Sequence, residues 1–268
     1  DLNSDILEVA RAINNRAIIY TNKGKDKLAI EEYSKSIIIE PSEPLYYSNR
    51  GSRWQHLGNY TKALNDFTKS IELETDNPKW YIYRADCYIA MENFNRALKD
   101  YSIAIKKDKN DPYYWSLRAD FYENKLNDKK NALTDLNKAV DLDSENYLIE
   151  RAKFYYHQKE FKNAERDYNL LVDLNKSFES YNERGLFYGL IGKYEKAHKD
   201  LEKSITIDTS STAVYYYRHK IYEKQDLIVK QTADLLKTII MDPKDPEGYY
   251  YLAIIYEKQE RYYKVISN

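Results

Sequence analysis

Aromatic and small residues return along this chain on a fixed step, with polar residues filling the intervals between them. A ring stands at Tyr20, Trp54, Tyr88, Tyr122, Tyr155, Tyr188, Tyr222 and Tyr256, at separations of 33 or 34 residues. Three residues before each ring lies a small residue, Ala17, Gly51, Ala85, Ala119, Ala152, Gly185 or Ala253, with His219 as the exception. Nine or ten residues after the ring comes Ala29, Ala63, Ala97, Ala132, Ala164 or Ala197, and Gln231 in the seventh copy. Four residues further stands Tyr33, Phe67, Tyr101, Leu136, Tyr168 or Leu201. Spacings of three and four put such residues on one helix face, so each copy predicts two antiparallel helices. Small residues let the pair approach and the larger side chain fills the remaining space. A unit of this size cannot bury its apolar face alone, so the copies are expected to stack.

Turn chemistry agrees with that division. Asn77-Pro78, Asp111-Pro112 and Asp245-Pro246, with Glu43-Pro44 as a weaker version, each set a capping side chain before a proline suited to a first helical turn. Lys23-Gly24, Gly58-Asn59 and Gly192-Lys193 mark short turns inside units. The period predicts a lead-in over residues 1–9 and repeats over 10–43, 44–77, 78–111, 112–144, 145–177, 178–211 and 212–245. A partial eighth covers 246–268. The fourth carries an extra residue near Asn127–Asn131, and the fifth has a shortened start around Tyr147. The chain is expected to stop partway through a second helix without a polar cap, leaving an apolar end open to self-association.

A second ladder runs beside the first. Arg16, Arg50, Arg84, Arg118, Arg151, Arg184 and Arg218 each precede the small residue by one. Sixteen or seventeen residues later stands Glu32, Asp66, Asp100, Asp135, Asp167, Asp200 or Asp234. This pattern predicts an ion pair joining the two helices of each unit, with arginine favoured for its fork of donors. In the eighth copy Leu252 takes the arginine slot. The rival reading is an arginine ladder that grips phosphates, but an arginine committed to an acid does not offer its charge to a ligand.

The succession of an aromatic, a small residue, a ring, then Ala and Phe in a second helix is carried by Tyr47, Gly51, Trp54, Ala63 and Phe67, and again by Tyr81, Ala85, Tyr88, Ala97 and Tyr101. It resembles the tetratricopeptide repeat, in about seven and a half copies from Ala10 onward. The family usually closes its repeat with proline, present here only as Pro41 and Pro243, and usually carries Leu at the slot held here by arginine. The resemblance implies an all-α, right-handed superhelical solenoid of antiparallel helix pairs. It also implies that first helices line a concave groove taking peptides or partner helices.

The face of each first helix turned away from the repeat slots includes Asn15, Asn49, Lys79, Tyr83, Asp86, Asp120, Glu123, Glu150, Lys153, Glu183, Tyr217, Lys220 and Tyr251. On the implied mapping the groove is polar at its start, acidic in its middle and aromatic at its end, which suits a partner segment with a basic centre and an apolar end. Family members that clamp a chaperone's terminal carboxylate use Lys and Asn in successive units. Asn14 and Ile18, then Ser48 and Ser52, do not match that clamp. The asparagine ladder of members fused to a glycosyltransferase starts at Asn15 and Asn49 but breaks at Tyr83 and Leu117.

Composition narrows the classes further. Lys+Arg 42 against Asp+Glu 43 gives a net charge of −1, which argues against nucleic acid or a membrane surface as partner. One cysteine, Cys87, excludes an intrachain disulfide and reads as a packed thiol in a cytoplasmic protein. No apolar stretch is long enough to span a bilayer. No GxGxxG, GxxxxGK[ST] or HExxH motif occurs, and His56, His157, His198 and His219 are widely spaced. No catalytic residue, metal site or cofactor is expected. The leading expectation is a non-catalytic scaffold or adaptor binding a protein or peptide. The alternative is a regulatory array of a larger enzyme whose catalytic domain lies outside this chain.

Overall fold

The computed structural model describes residues 2–266, with side chains placed for residues 5–260. Among the described residues the protein is all α, with fifteen helices and no strand. They are α1 (Leu2–Asn22), α2 (Asp26–Ile39), α3 (Pro44–His56), α4 (Tyr60–Leu73), α5 (Pro78–Ala90), α6 (Phe94–Lys107), α7 (Pro112–Asn124) and α8 (Lys129–Leu142). There follow α9 (Ser144–His157), α10 (Phe161–Leu174), α11 (Phe178–Leu190), α12 (Tyr194–Ile207), α13 (Ala213–Lys224), α14 (Ile228–Met241) and α15 (Pro246–Ile266). The chain forms two compact units that divide between Leu142 and Asp143.

In the first unit α1 pairs with α2, α3 with α4, α5 with α6 and α7 with α8. Each second helix also packs on the first helix of the next pair. The second unit repeats this with α9 and α10, α11 and α12, and α13 and α14, and α15 packs on α14. The pairs close because the small slots vanish from the surface: Ala17, Ala85, Ala152, Ala29, Ala97, Ala164 and Ala197 have no exposure. At Gly51 a Cβ would stand 3.0 Å from the Phe67 ring, so a larger residue would require that ring to shift. Phe67 and Leu201 fill their interfaces completely.

The boundaries follow local chemistry. Glu43, Asn77 and Asp111 accept the backbone N–H of Leu45, Lys79 and Tyr113 at 3.1, 3.1 and 2.9 Å, each with proline in the first turn. Asp245 likewise accepts from Glu247 N at 2.9 Å ahead of α15. Every turn inside a pair contains a left-handed residue. Glycine serves at Gly24, Gly58 and Gly192, while Glu92, Asn127, Lys159 and Asp226 adopt the same conformation without glycine's freedom.

Two expectations need correction. Residues before Ala10 are not a lead-in, since α1 is already helical from Leu2. The eighth copy does not run into a second helix: α15 is one unbroken helix from Pro246 to Ile266. Its ring Tyr256 is therefore 53% exposed, having no second helix against it among the described residues. Trp80 is buried packing, its indole N–H donating to Glu74 Oε2 at 2.8 Å. The extra residue of the fourth copy lies in the α7–α8 turn, and a single residue, Asp143, separates α8 from α9.

Candidate partner-binding surface

Seven arginines on first helices meet seven acids on second helices. Arg50, Arg84, Arg118, Arg151, Arg184 and Arg218 each use Nε and Nη2 on both carboxylate oxygens of Asp66, Asp100, Asp135, Asp167, Asp200 and Asp234, at 2.7–2.9 Å. These forks are bidentate and the acids are buried. The first pair differs: Arg16 Nε and Nη2 both donate to Glu32 Oε2, while Lys35 Nζ takes Oε1 at 2.6 Å. Glutamate is one methylene longer, and Arg16 is 54% exposed.

The third donor of the fork has a use the sequence reading missed. Arg50 Nη1 donates to Ser34 Oγ at 3.0 Å, Arg84 Nη1 to Thr68 Oγ1 at 3.3 Å, Arg118 Nη1 to Ser102 Oγ at 3.1 Å, and Arg184 Nη1 to Asn169 Oδ1 at 3.0 Å. Each acceptor belongs to the preceding repeat and stands two residues after that repeat's acid. A small polar residue at this fixed offset was the available signal. One arginine thus ties three helices.

With their guanidinium groups committed, the arginines leave recognition to the rest of the first-helix face. Within the units first helix packs on first helix, α3 on α5 and α11 on α13, and no two successive second helices show packing of the same extent. Successive first helices therefore share one side of each stack. In the first unit Asn15 and Lys79 are exposed on it. Asn49 Nδ2 donates to buried Asn14 Oδ1 at 3.1 Å, which turns this amide to a neighbouring helix. Tyr83 is half-buried against Phe67 and Trp80, at ring separations of 5.6 and 5.9 Å. Asp86 is mostly buried, and Tyr101 donates its hydroxyl to Asp86 Oδ1 at 3.4 Å. Burial pushes the Asp86 carboxyl up to about 6, against the smaller opposing pull of that hydroxyl. Asp120 is exposed and accepts from Asn124 Nδ2 at 2.7 Å, and Glu123 is half-buried.

In the second unit Glu150 and Lys153 are exposed, and Lys153 Nζ lies 3.0 Å from Glu183 Oε2. Tyr217 is half-buried and Lys220 exposed. Tyr251 packs on His219 at 4.8 Å between centroids, with Tyr216 and Tyr250 nearby at 6.3 and 5.5 Å. The thirteen residues thus fall into two sets, one per unit, and half-burial or an internal partner mutes several of the charges.

Basic residues also cover the repeat rings. Lys62 Nζ sits 4.2 Å from the Trp54 centroid, Lys196 Nζ 5.0 Å from Tyr188, and Arg96 5.6 Å from Tyr88. Glu165 is pushed up by burial, but hydrogen bonds from Lys193 at 2.7 Å and Lys196 at 3.1 Å outweigh it and hold the carboxyl at about 2. Cys87 is buried, and burial raises its thiol to about 12, where it is inert. Open clefts occur at the turns, as at Gly192–Lys196 with Gln225 and at Leu57–Thr61 with Met91. No group of three or more His, Cys, Asp or Glu side chains suited to a metal occurs among the described residues. No described helix is long and apolar enough to cross a membrane.

Family models for the tetratricopeptide repeat match residues 56–121, and residues 10–43, 112–146 and 178–211, together more than half of the chain. The chain belongs to the tetratricopeptide-repeat family, a class of helical-repeat, protein-binding scaffolds. A 109-residue stretch is 31% identical to human RNA polymerase II-associated protein 3, covering 35% of this chain and 16% of that protein. The fold is similar to a tetratricopeptide repeat protein from Parabacteroides merdae ATCC 43184, with a TM-score of 0.60, 21% identity, and 92% and 99% of the two chains covered. It is also similar to the C-terminal part of a repeat protein from Cytophaga hutchinsonii, with a TM-score of 0.58, 17% identity, and 88% and 97% covered.

Proposed function

We propose that this chain is a non-catalytic adaptor that holds a peptide or helical segment of a partner protein on the face that first helices share within a compact unit. The observation that carries the reading is the division of labour on those helices. The arginines, which would otherwise attract phosphate, are consumed in pairing and in tying neighbouring repeats. The outward face keeps exposed polar and charged groups beside half-buried tyrosines, Lys79, Tyr83 and Asp120 in one unit and Glu150, Tyr217 and Lys220 in the other. Tyrosines of this kind give anchors with little entropy to lose, and the acids favour a segment with a basic centre.

The test is selection of peptides from a phage-displayed random library on the full chain. Enriched peptides should pair Lys or Arg with an aromatic or aliphatic anchor. They should lose at least about tenfold in affinity against Asp120→Lys or against Glu150→Lys, according to the unit that binds them, each variant first checked for an unchanged circular-dichroism melt. Enrichment indifferent to these changes, or none at all, would discard the reading.

A further inference from the structure

The second helices all turn one face outward, and in one of them that face is apolar. Four slots define it, lying five and one residue before the ion-pair acid and two and six residues after it. In α12 they hold Glu195, Lys199, Glu202 and Thr206. In α14 they hold Val229, Ala233, Leu236 and Ile240, of which Val229, Leu236 and Ile240 are 83%, 42% and 72% exposed. Across the other six second helices the same slots are polar, Ile38 of α2 excepted.

Regular stacking does not cover this face. In α12, with α11 and α13 packed around it, all four slots remain exposed, and in α4 and α6 only the third is drawn partly inward. A further repeat would therefore leave Val229, Ala233 and Ile240 in water. Val229, Ala233, Leu236 and Ile240, spaced four, three and four apart, follow the seam between two paired helices. Lys230 and Lys237 flank the seam, each one residue beyond a seam position and so on the same side of it. The acid between them, Asp234, is buried and occupied by Arg218 at 2.9 and 2.7 Å. Lys230 Nζ also stands 5.7 Å from the Tyr222 ring, which holds it near the helix.

We propose that the outer face of α14 docks an amphipathic helix of another protein, one whose apolar seam is flanked by Asp or Glu. The lysines select between occupants. A second copy laid antiparallel along this seam would set Lys230 beside the other copy's Lys237, and a parallel copy would offer these lysines no acid. An acidic flank completes the charge pattern and a copy of α14 does not. This surface is separate from the first-helix face, so the scaffold would hold two partners at once.

The experiment is a fluorescence-anisotropy titration of the full chain with two labelled helical peptides. Both carry the same leucine seam; one has glutamate flanks, the other lysine flanks. The glutamate peptide should bind at least about tenfold more tightly than the lysine peptide. Lys230→Glu with Lys237→Glu should reverse that order. Val229→Glu with Ile240→Glu, at exposed positions, should abolish binding of both peptides with an unchanged circular-dichroism melt. Failure of the glutamate peptide to bind, equal binding of the two peptides, or binding that survives Val229→Glu with Ile240→Glu would overturn the proposal. So would a dimer in sedimentation that disappears in that same variant, since the occupant would then be a second copy.

Discussion

The third repeat and the seventh, with the helix that follows it, answer the same structural demands differently. In α5 and α6 the small slots are Ala85 and Ala97, both without exposure and part of one apolar cluster. In α13 and α14 the same slots hold His219 and Gln231, both buried, with Gln231 Nε2 3.3 Å from His219 Nδ1. Between repeats, Arg84 Nη1 reaches Thr68 of the preceding helix. At the step from α14 to α15 the corresponding residues are Leu236 and Leu252. One slot of the outward face holds half-buried Asp86 under the Tyr101 hydroxyl. In the seventh repeat that slot is exposed Lys220, opposite a leucine, Leu235, in place of the tyrosine. The repeat therefore conserves matches between facing residues, apolar to apolar and donor to acceptor, and each match can be recoded as a pair.

The comparison breaks most visibly at the ion pair. Arg84→Ala should cost about 3–5 kcal/mol in urea denaturation, because it strands the buried Asp100 carboxylate. Arg84→Leu with Asp100→Leu, which replaces the pair by apolar groups and leaves no buried charge, should recover most of that loss. Equal losses in the single and double variants would show that the pair is not the unit of the match.

A smaller effect is expected where the match is polar. Gln231→Ala restores the residue of the other repeats yet should destabilise by about 1–3 kcal/mol. It leaves Nδ1 of a buried imidazole bare when Nε2 already lacks a partner. Burial lowers the His219 pKa, which works against charging of the ring. His219→Ala with Gln231→Ala should lie closer to the parent than Gln231→Ala does in thermal melts. If the double variant is the worse of the two, the pairing argument fails.

The smallest effect carries a pH signature. Asp86 has its carboxyl at about 6 in the folded chain against 3.8 in a free aspartate, so the folded state binds more protons between those values. Stability should fall as pH rises through that window and stay lower above it. Asp86→Asn should therefore gain about 1–2 kcal/mol at pH 7.5, a figure kept below the full shift because the side chain is not wholly buried. At pH 4 the gain should nearly vanish, and Lys220→Gln should be neutral at both pH values. A gain for Asp86→Asn that does not change with pH would mean burial is not its cause.

Much of this was legible because the chain repeats itself. Tyr88 or Ala97 alone says little, but eight rings in register define helix pairs before any local propensity is weighed. Arginine and acid at a constant offset pointed to each other for the same reason. The features that escaped depend on a neighbour outside the repeat frame. Nothing in the surroundings of Asp86 announces that a tyrosine hydroxyl from α6 will cover it. The course of α15 was hidden because the turn does not require glycine. Four residues after the ring the left-handed residue is Gly58 in one copy and Glu92, Lys159 or Asp226 in others. Glu260 stands at the same offset, yet α15 runs straight through it.

The Nη1 contacts that span neighbouring repeats also set how the array comes apart. A helix pair whose arginine is anchored in the preceding pair cannot open without breaking a bond outside itself, so adjacent pairs share their unfolding free energy. α15 has Leu252 in place of that anchor, and no hairpin mate among the described residues. Its amides should exchange with solvent ahead of those in α5 or α11.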